Sequence, residues 1–313
     1  DYTCDADIDR LVKDEFFQDC RVQTIGEGSN LLFLANFHGI LPHSEVKGIT
    51  ELHKDQDSIL LRVGSGMVWD DFVAYAVENN YYGIENLSLI PGQVGASAVQ
   101  NIGAYGVEVS QLIEAVHARH YRTGESRVFR NEDCRYAYRY SIFKEPDYAE
   151  WTIMYVDYRL RLKPSFSLEY KALAKVLEEE RITPTLQSIR DTVIRIRNSK
   201  LPDPATIGNA GSFFVNPVVS AEKFNTLQTE YPSIPSYPQP DGSVKVPAGW
   251  LIEQCGYKGH RSGAVGVYEH QALVLVNYGG ATGTQVGALA EEIIGNVRQK
   301  FGITLHPEVK YIL

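Results

Sequence analysis

The chain has 313 residues, enough for two or three domains with cores of their own. Hydrophobic residues at 44% and charged residues at 22% describe an ordinary soluble globular protein, and a net charge of −9 argues against a nucleic-acid partner, which would meet a basic face. Cys4, Cys20, Cys134 and Cys255 are scattered without a CxxC pair, so neither a zinc site nor a disulfide framework is expected and a reducing compartment fits. The eight histidines form no HxxxH pattern, so no metal is expected. No apolar run approaches the roughly 18 residues of a membrane helix, and no membrane partner is expected. The first residue is Asp1 rather than methionine, so a natural N-terminal segment is expected upstream.

In chain order, Ile8, Leu11, Val12 and Phe16 recur at helical spacing behind acidic residues suited to a helix start. Apolar runs at 22–25, 31–34 and 59–63 predict strands, and 68–79 predicts a helix ending at Asn79-Asn80. Residues 87–106 carry few charges and are too glycine-rich for a regular element. Strands follow at 115–121 and 126–129 around a Thr123-Gly124-Glu125 turn, then a long alternating strand at 151–162 that Pro164 stops. The pattern turns helical at 167–180 and 184–197, the second helix with proline in its first turn. Lys200-Leu201-Pro202-Asp203-Pro204 is a rigid connector near the expected domain boundary. Beyond it are a strand at 212–215, a helix after Ser220, a proline-rich segment at 231–241, a helix at 248–255 and a buried strand at 272–276. A last helix carries Val286, Leu289, Ile293, Val297 and Phe301 on one face, with Gly302 as its stop.

Five segments offer chemistry. Gly26-Glu27-Gly28-Ser29-Asn30 lets backbone approach a ligand and turn N–H groups toward a phosphate, although taken alone it reads more readily as a plain tight turn. Pro91-Gly92-Gln93-Val94-Gly95-Ala96-Ser97 and Gln100-Asn101-Ile102-Gly103-Ala104-Tyr105-Gly106 suit a long cofactor against backbone, or a packed loop. Arg135-Tyr136-Ala137-Tyr138-Arg139-Tyr140-Ser141 joins cations to phenols, and an arginine holds a carboxylate with two parallel hydrogen bonds. Asn209-Ala210-Gly211-Ser212-Phe213-Phe214-Val215-Asn216-Pro217 sets one hydroxyl in an apolar frame, as a proton donor in a dry site or as part of a buried strand. Glu308 follows Pro307 and by itself signals nothing.

Taken together, these segments resemble the UDP-N-acetylenolpyruvoylglucosamine reductases, flavoenzymes of bacterial cell-wall synthesis. The resemblance runs over nearly the whole chain. It includes Gly26 to Asn30, Gly83-Ile84-Glu85-Asn86, Ile90-Pro91-Gly92, Gln100 to Gly106, Cys134-Arg135 through Tyr138-Arg139, and Ser141-Ile142-Phe143-Lys144. It continues with Lys200 to Pro204, Gly208 to Phe214, Ala248-Gly249-Trp250-Leu251-Ile252 and Pro307-Glu308-Val309. Pro235-Ser236-Tyr237-Pro238-Gln239 ahead of Asp241 to Lys245 is similar to the form whose tyrosine closes over substrate, with Tyr237 at the matching position.

The resemblance implies an α+β fold: a vanillyl-alcohol-oxidase-type FAD-binding domain of two α+β subdomains over 1–165, completed by C-terminal residues, then a smaller α+β substrate domain over 198–313. FAD, held non-covalently, is expected against Gly26, Glu27, Gly28, Ser29, Asn30, Pro91, Gly92, Gly95, Ala96, Ser97, Asn101, Gly103, Tyr105 and Gly106. Family members usually carry an Asn-Thr-Phe segment upstream that touches the flavin, and this chain begins after it. NADPH is expected to reduce FAD and leave, and UDP-N-acetylglucosamine enolpyruvate then to enter the same cleft and take hydride at its vinyl carbon. By resemblance Ser212 protonates the resulting enolate, while Arg139 and a neutral Glu308 polarise its carboxylate; a dry setting beside Phe213 and Phe214 would favour that neutral form. Tyr138, Tyr170, Lys200, Asn216, Tyr237, Lys245 and Gln271 are the expected contacts to the UDP-sugar. A monomer in the bacterial cytoplasm is expected. An oxidase with covalent FAD on the same fold is disfavoured, because its flavin-bearing histidine has no counterpart in Gly26 to Asn30. A module without activity is disfavoured because all three catalytic positions are filled.

Overall fold

The structure, a computed structural model, describes all 313 residues. They form two compact units, one of Asp1–Gly28 with His38–Arg197 and one of Ser29–Phe37 with Asn198–Leu313. Each combines helices with mainly antiparallel sheet, an α+β architecture.

In the first unit, strand Ser58–Gly64 buries Ile59, Leu61 and Val63 while Leu60 and Arg62 stay half-buried, the alternation of a strand with one face on a core. It is second in a five-stranded antiparallel sheet of order Ile49–Lys54, Ser58–Gly64, Trp151–Arg161, Ile113–His120 and Ser126–Arg130. Helices Trp69–Glu78 and Val94–Gln100 belong to the same core, where the rings of Trp69, Phe72 and Tyr158 lie 4.9 to 6.0 Å apart. Helices Lys171–Glu179 and Leu186–Lys200 close a satellite core of Leu173, Leu177, Ile189 and Val193.

Three expectations need correction here. The first helix divides into Asp5–Lys13 and Glu15–Asp19, because the Asp14 carboxylate accepts the Phe17 N–H at 2.9 Å and restarts the helix. The new phase buries Phe17 at 1% exposure and leaves Phe16 73% exposed. Residues 22–25 make no strand: Val22 and Ile25 form single bridges to Ile40 and His43, and Pro42 between those partners has no N–H to give a ladder. Residues 87–106 are not irregular throughout, since Val94–Gln100 is helical and Asn101 ends it in a left-handed conformation. Its small residues let it lie against the strand end, where the Gly95 N–H donates to the Ser65 carbonyl at 2.9 Å. Strand Ile49–Lys54 escaped the sequence reading because five of its six residues are exposed and show no apolar alternation.

The buried turn at Glu85–Leu87 holds a carboxyl at 1% exposure, with Glu85 Oε2 accepting the Gly83 N–H at 2.7 Å. Burial raises its pKa above the ordinary carboxylate value, outweighing those backbone donors. A raised folded-state pKa means that this group's stabilising contribution is full below the unfolded pKa and is lost as pH rises through the folded one. Glu85→Gln keeps an acceptor and removes the charge. Its Tm relative to wild type is therefore expected to improve from about pH 4 to about pH 8. A difference that stays constant with pH would show that the buried charge carries no penalty.

The second unit is built on a four-stranded antiparallel sheet of order Arg261–Ser262, Val265–Val267, Val274–Asn277 and Gly208–Ser212. Helix Gly283–Phe301 packs Val286, Leu289, Ile293, Val297 and Phe301 into its core, each such burial stabilising by about 1.5–3 kcal/mol. Gly302 at φ 63° stops this helix, as its sequence predicts, and a Thr282–Gln285 capping box starts it. Strand Leu31–Phe33 pairs in parallel with Lys310–Ile312 inside this unit. The strand predicted at 212–215 instead runs over Gly208–Ser212, and Phe213 and Phe214 turn off its end into the core.

Candidate active site

In the first unit the two glycine segments meet. A Cβ on Gly26 would stand 3.3 Å from Gln93 Oε1 and 3.7 Å from the Ala96 Cβ. The buried Gln93 amide reaches His43 Nε2 at 3.0 Å, the Ser44 carbonyl at 3.2 Å and the Gly66 carbonyl at 3.3 Å. One side chain thus ties together the chain beside Gly26, the end of strand Ser58–Gly64 and the start of helix Val94–Gln100. Sequence reasoning named Gln93 within a candidate segment without giving it a role, and passed over Ser65 and Gly66. The available signal was a strand ending in Gly64-Ser65-Gly66.

Three buried polar atoms near these segments have no protein partner: Thr24 Oγ1, just ahead of Gly26, Gln100 Oε1 at the helix end, and Asn86 Oδ1. Asn86 holds the Tyr105 carbonyl at 2.8 Å with its amide nitrogen. Unpartnered buried polar atoms are uncommon, and a long ligand rich in hydroxyls and ring N–H groups fits them. Glu27, Gly28, Pro91 and Gly106 are exposed beside this cradle, and Gly92 accepts the Trp69 N–H through its carbonyl at 2.9 Å. Tyr105, at φ 48°, meets the half-exposed Tyr170 ring edge-on at 5.3 Å, and burial pushes its phenol above the usual pKa.

Two of the expected flavin-contact residues, Ser97 and Asn101, have side chains bonded within the protein. Ser97 Oγ bonds the Val94 carbonyl at 2.7 Å and Tyr158 Oη at 2.9 Å. The Asn101 amide nitrogen donates to the Ala137 carbonyl at 2.8 Å and to Glu108 Oε2 at 3.0 Å, and its oxygen accepts the Ser110 N–H at 3.1 Å. Both side chains are spent on the protein's own framework. Ser29 and Asn30 belong to the second unit, where the Asn30 amide donates to the Glu308 carbonyl at 3.1 Å and the Asn30 carbonyl accepts the Lys310 N–H at 3.1 Å.

Arg139 sits in a tight turn. Ala137 and Tyr140 exchange both backbone hydrogen bonds, at 3.1 and 2.9 Å, leaving Tyr138 and Arg139 as the central pair. Arg139 adopts φ 56°, where a type II turn favours glycine, at a cost of about 1–2 kcal/mol for a residue with a Cβ. Its guanidinium donates to the Asn101 carbonyl at 3.3 Å and the Gly103 carbonyl at 2.6 Å and lies 5.1 Å from the Tyr138 ring.

In the second unit, Ser212 pairs with Val274 and Asn209 with Val276, so strand Gly208–Ser212 carries one residue more than its partner. Gly211 absorbs this bulge at φ 67°, a conformation that glycine adopts without steric penalty. The bulge aims Ser212 outward while Phe213 and Phe214 go inward, so Ser212 is exposed and the two rings do not wall it in. The backbone joins Ser212's neighbour to Glu308, whose N–H donates to the Phe213 carbonyl at 2.8 Å.

Two expected substrate contacts meet at the start of helix Ala248–Gln254, and two more face each other across a nearby hairpin. The Asn216 oxygen accepts the Ala248 N–H at 2.9 Å, and Gln271 Oε1 lies 3.2 Å from where a Gly249 Cβ would be. Lys245 lies directly across from Tyr237 in a hairpin turned by Asp241-Gly242, whose Asp241 carboxylate accepts the Ser243 N–H at 3.0 Å. Lys200, at the end of helix Leu186–Lys200, is exposed.

Comparison with known proteins gives the family. A family model described as the UDP-N-acetylenolpyruvoylglucosamine reductase C-terminal domain matches residues 203–312, and one described as an FAD binding domain matches residues 3–124. The chain is 99% identical over its full length to the UDP-N-acetylenolpyruvoylglucosamine reductase of Porphyromonas gingivalis, covering 93% of that protein. It is 50% identical over 92% of its length to the reductase of the same name from Bacteroides fragilis, covering 86% of it. The crystal structure of the Thermus caldophilus enzyme superimposes with a TM-score of 0.64 over 99% of this chain and 90% of that one, and at 21% identity this likeness speaks for the fold alone. With that identity sustained from Asp1 to Leu313, the chain belongs to the UDP-N-acetylenolpyruvoylglucosamine reductase family.

Proposed function

We propose that this protein is an FAD-containing, NADPH-dependent oxidoreductase that reduces UDP-N-acetylglucosamine enolpyruvate to UDP-N-acetylmuramate, a step in making peptidoglycan precursors. Full-length identity to a curated family member carries this reading, and the three candidate catalytic positions are filled by Ser212, Arg139 and Glu308. When bound, FAD supplies hydride carriage from NADPH to the substrate.

The residues do the rest. Residues 1–165 supply most of the flavin cradle and 198–313 bind the sugar nucleotide. Hydride arriving at the vinyl carbon leaves negative charge spread into the neighbouring carboxylate. Arg139 meets that charge with a guanidinium already oriented in its turn, and Glu308 as a neutral carboxyl adds a hydrogen bond, so no solvent has to reorganise. Ser212 then hands its proton to the enolate carbon. Serine is a weak acid, but a carbanion is a strong base, and with ligands covering the exposed hydroxyl no water competes. Lys200 and Lys245 serve the diphosphate as point charges, and Tyr138, Tyr170, Asn216, Tyr237 and Gln271 hold the nucleotide and sugar. NADPH and the enolpyruvyl substrate take turns in one shared cleft. The enzyme works as a monomer in the cytoplasm, without membrane or nucleic-acid partners. None of its helices is long and apolar enough to cross a membrane.

Anaerobic titration tests the reading. The yellow protein is expected to bleach with one equivalent of NADPH per flavin and to recover its spectrum when the enolpyruvyl substrate is added. A protein that fails to bleach, or that bleaches and does not recover, is not this reductase.

A further inference from the structure

The hydrogen bonds that hold the Asn101 side chain lead to the Arg139 turn. The Asn101 amide nitrogen reaches the Ala137 carbonyl, which is also the acceptor for the Tyr140 N–H that closes that turn. The Asn101 backbone carbonyl in turn accepts from Arg139 Nη1, and the Gly103 carbonyl from Nη2. Asn101 therefore grips the turn at its base and its guanidinium at the tip. Asn101 is itself left-handed at φ 45°, and Glu108 and Ser110 lock its side chain in place.

Gly103 completes the arrangement by having no side chain. A Cβ there would lie 3.0 Å from Arg139 Nη1, 3.0 Å from the Val107 carbonyl and 3.1 Å from the Glu108 Cγ. Val107 and Glu108 belong to the strand that pairs with Gly103 and Ala104, so that neighbour cannot retreat. The guanidinium would have to move.

We infer that Asn101 and Gly103 are positioning residues for Arg139: they hold a left-handed arginine turn and its guanidinium in the orientation that the proposed contact with substrate requires. The inference rests on the reading of Arg139 as the residue that meets the enolate carboxylate. It assigns the Asn101 side chain and the Gly103 backbone to the second half-reaction.

The test uses Asn101→Gly, which accepts the left-handed backbone and deletes only the amide, and Gly103→Ala, which crowds Nη1. Both are expected to retain flavin per protein by absorbance and to bleach with NADPH within about twofold of wild type. Reoxidation by the enolpyruvyl substrate should slow about a hundredfold, the scale of a catalytic group displaced by an ångström. If Asn101 acts through Arg139, adding Asn101→Gly to Arg139→Ala should slow reoxidation no further. Loss of flavin from Asn101→Gly, an equal fall in both half-reactions, unchanged reoxidation, or full additivity with Arg139→Ala would each overturn the inference. The Arg139→Ala variant alone examines the reading beneath it. If that variant reoxidises at the wild-type rate, Arg139 has no catalytic part, and the role given to it in the proposed function fails.

Discussion

Replacing Ser212 by alanine is expected to leave flavin bleaching by NADPH within about twofold of wild type and to slow reoxidation by the enolpyruvyl substrate roughly 10²–10⁴-fold, the usual worth of a positioned general acid. The substitution is nearly free of structural side effects. Ser212 is exposed at the end of its strand, and its aim is set by the Gly211 bulge and by pairing with Val274, neither of which needs the hydroxyl. Stopped-flow absorbance resolves the two half-reactions. Equal losses in both would make Ser212 a structural residue and would sink the assignment of proton donor.

Phe213→Ala is expected to destabilise the C-terminal unit by about 3–5 kcal/mol, the cost of emptying a buried phenylalanine site. The Phe213 ring is 1% exposed and packs 5.2 Å from Phe214 and 6.2 Å from Tyr311. Its backbone also joins two candidate catalytic positions: the N–H donates to Leu273 at 2.7 Å, fixing the strand end that carries Ser212, and the carbonyl accepts from Glu308. The variant should therefore lose reoxidation rate even at temperatures where it remains folded, whereas Phe213→Leu, which keeps most of the volume, should lose far less of both. Urea denaturation followed by circular dichroism measures the first effect. A loss below about 1 kcal/mol would mean that the core beneath Ser212 adapts and does not hold it.

These two residues illustrate what a local pattern can and cannot convey. The juxtaposition of Gly211, Ser212 and two phenylalanines marks a backbone irregularity beside a core, because a glycine at positive φ and paired buried aromatics are local features. The inference that the aromatic rings dry the hydroxyl fails, because direction depends on a bulge that exists only once Gly208–Ser212 pairs with Val274–Asn277. The same distinction separates the elements. Helix Gly283–Phe301 is legible residue by residue, since its cap, apolar stripe and glycine stop all lie within its own length. Helix Val94–Gln100 is not, since glycine, serine and alanine offer no apolar stripe and its stability comes from lying on Ser65 and Tyr158. Phe16 and Phe17 exchange places because one capping carboxylate resets the helical phase.

By itself the sequence determined the kind of chemistry: the order of glycine loops, arginine turn, serine segment and terminal glutamate is a linear property, and it identified the family and its cofactor. Only the tertiary structure decided which side chain bonds to which backbone. Asn101 stands inside a cofactor-like motif, yet its amide is held by Ala137, 36 residues away, and its carbonyl by Arg139, 38 residues away. Asn30 stands inside another such motif and is bound to Glu308, 278 residues away. A hydrogen-bonding side chain of this length has several partners within chemical reach, and the choice among them is made by backbone brought together from distant parts of the chain.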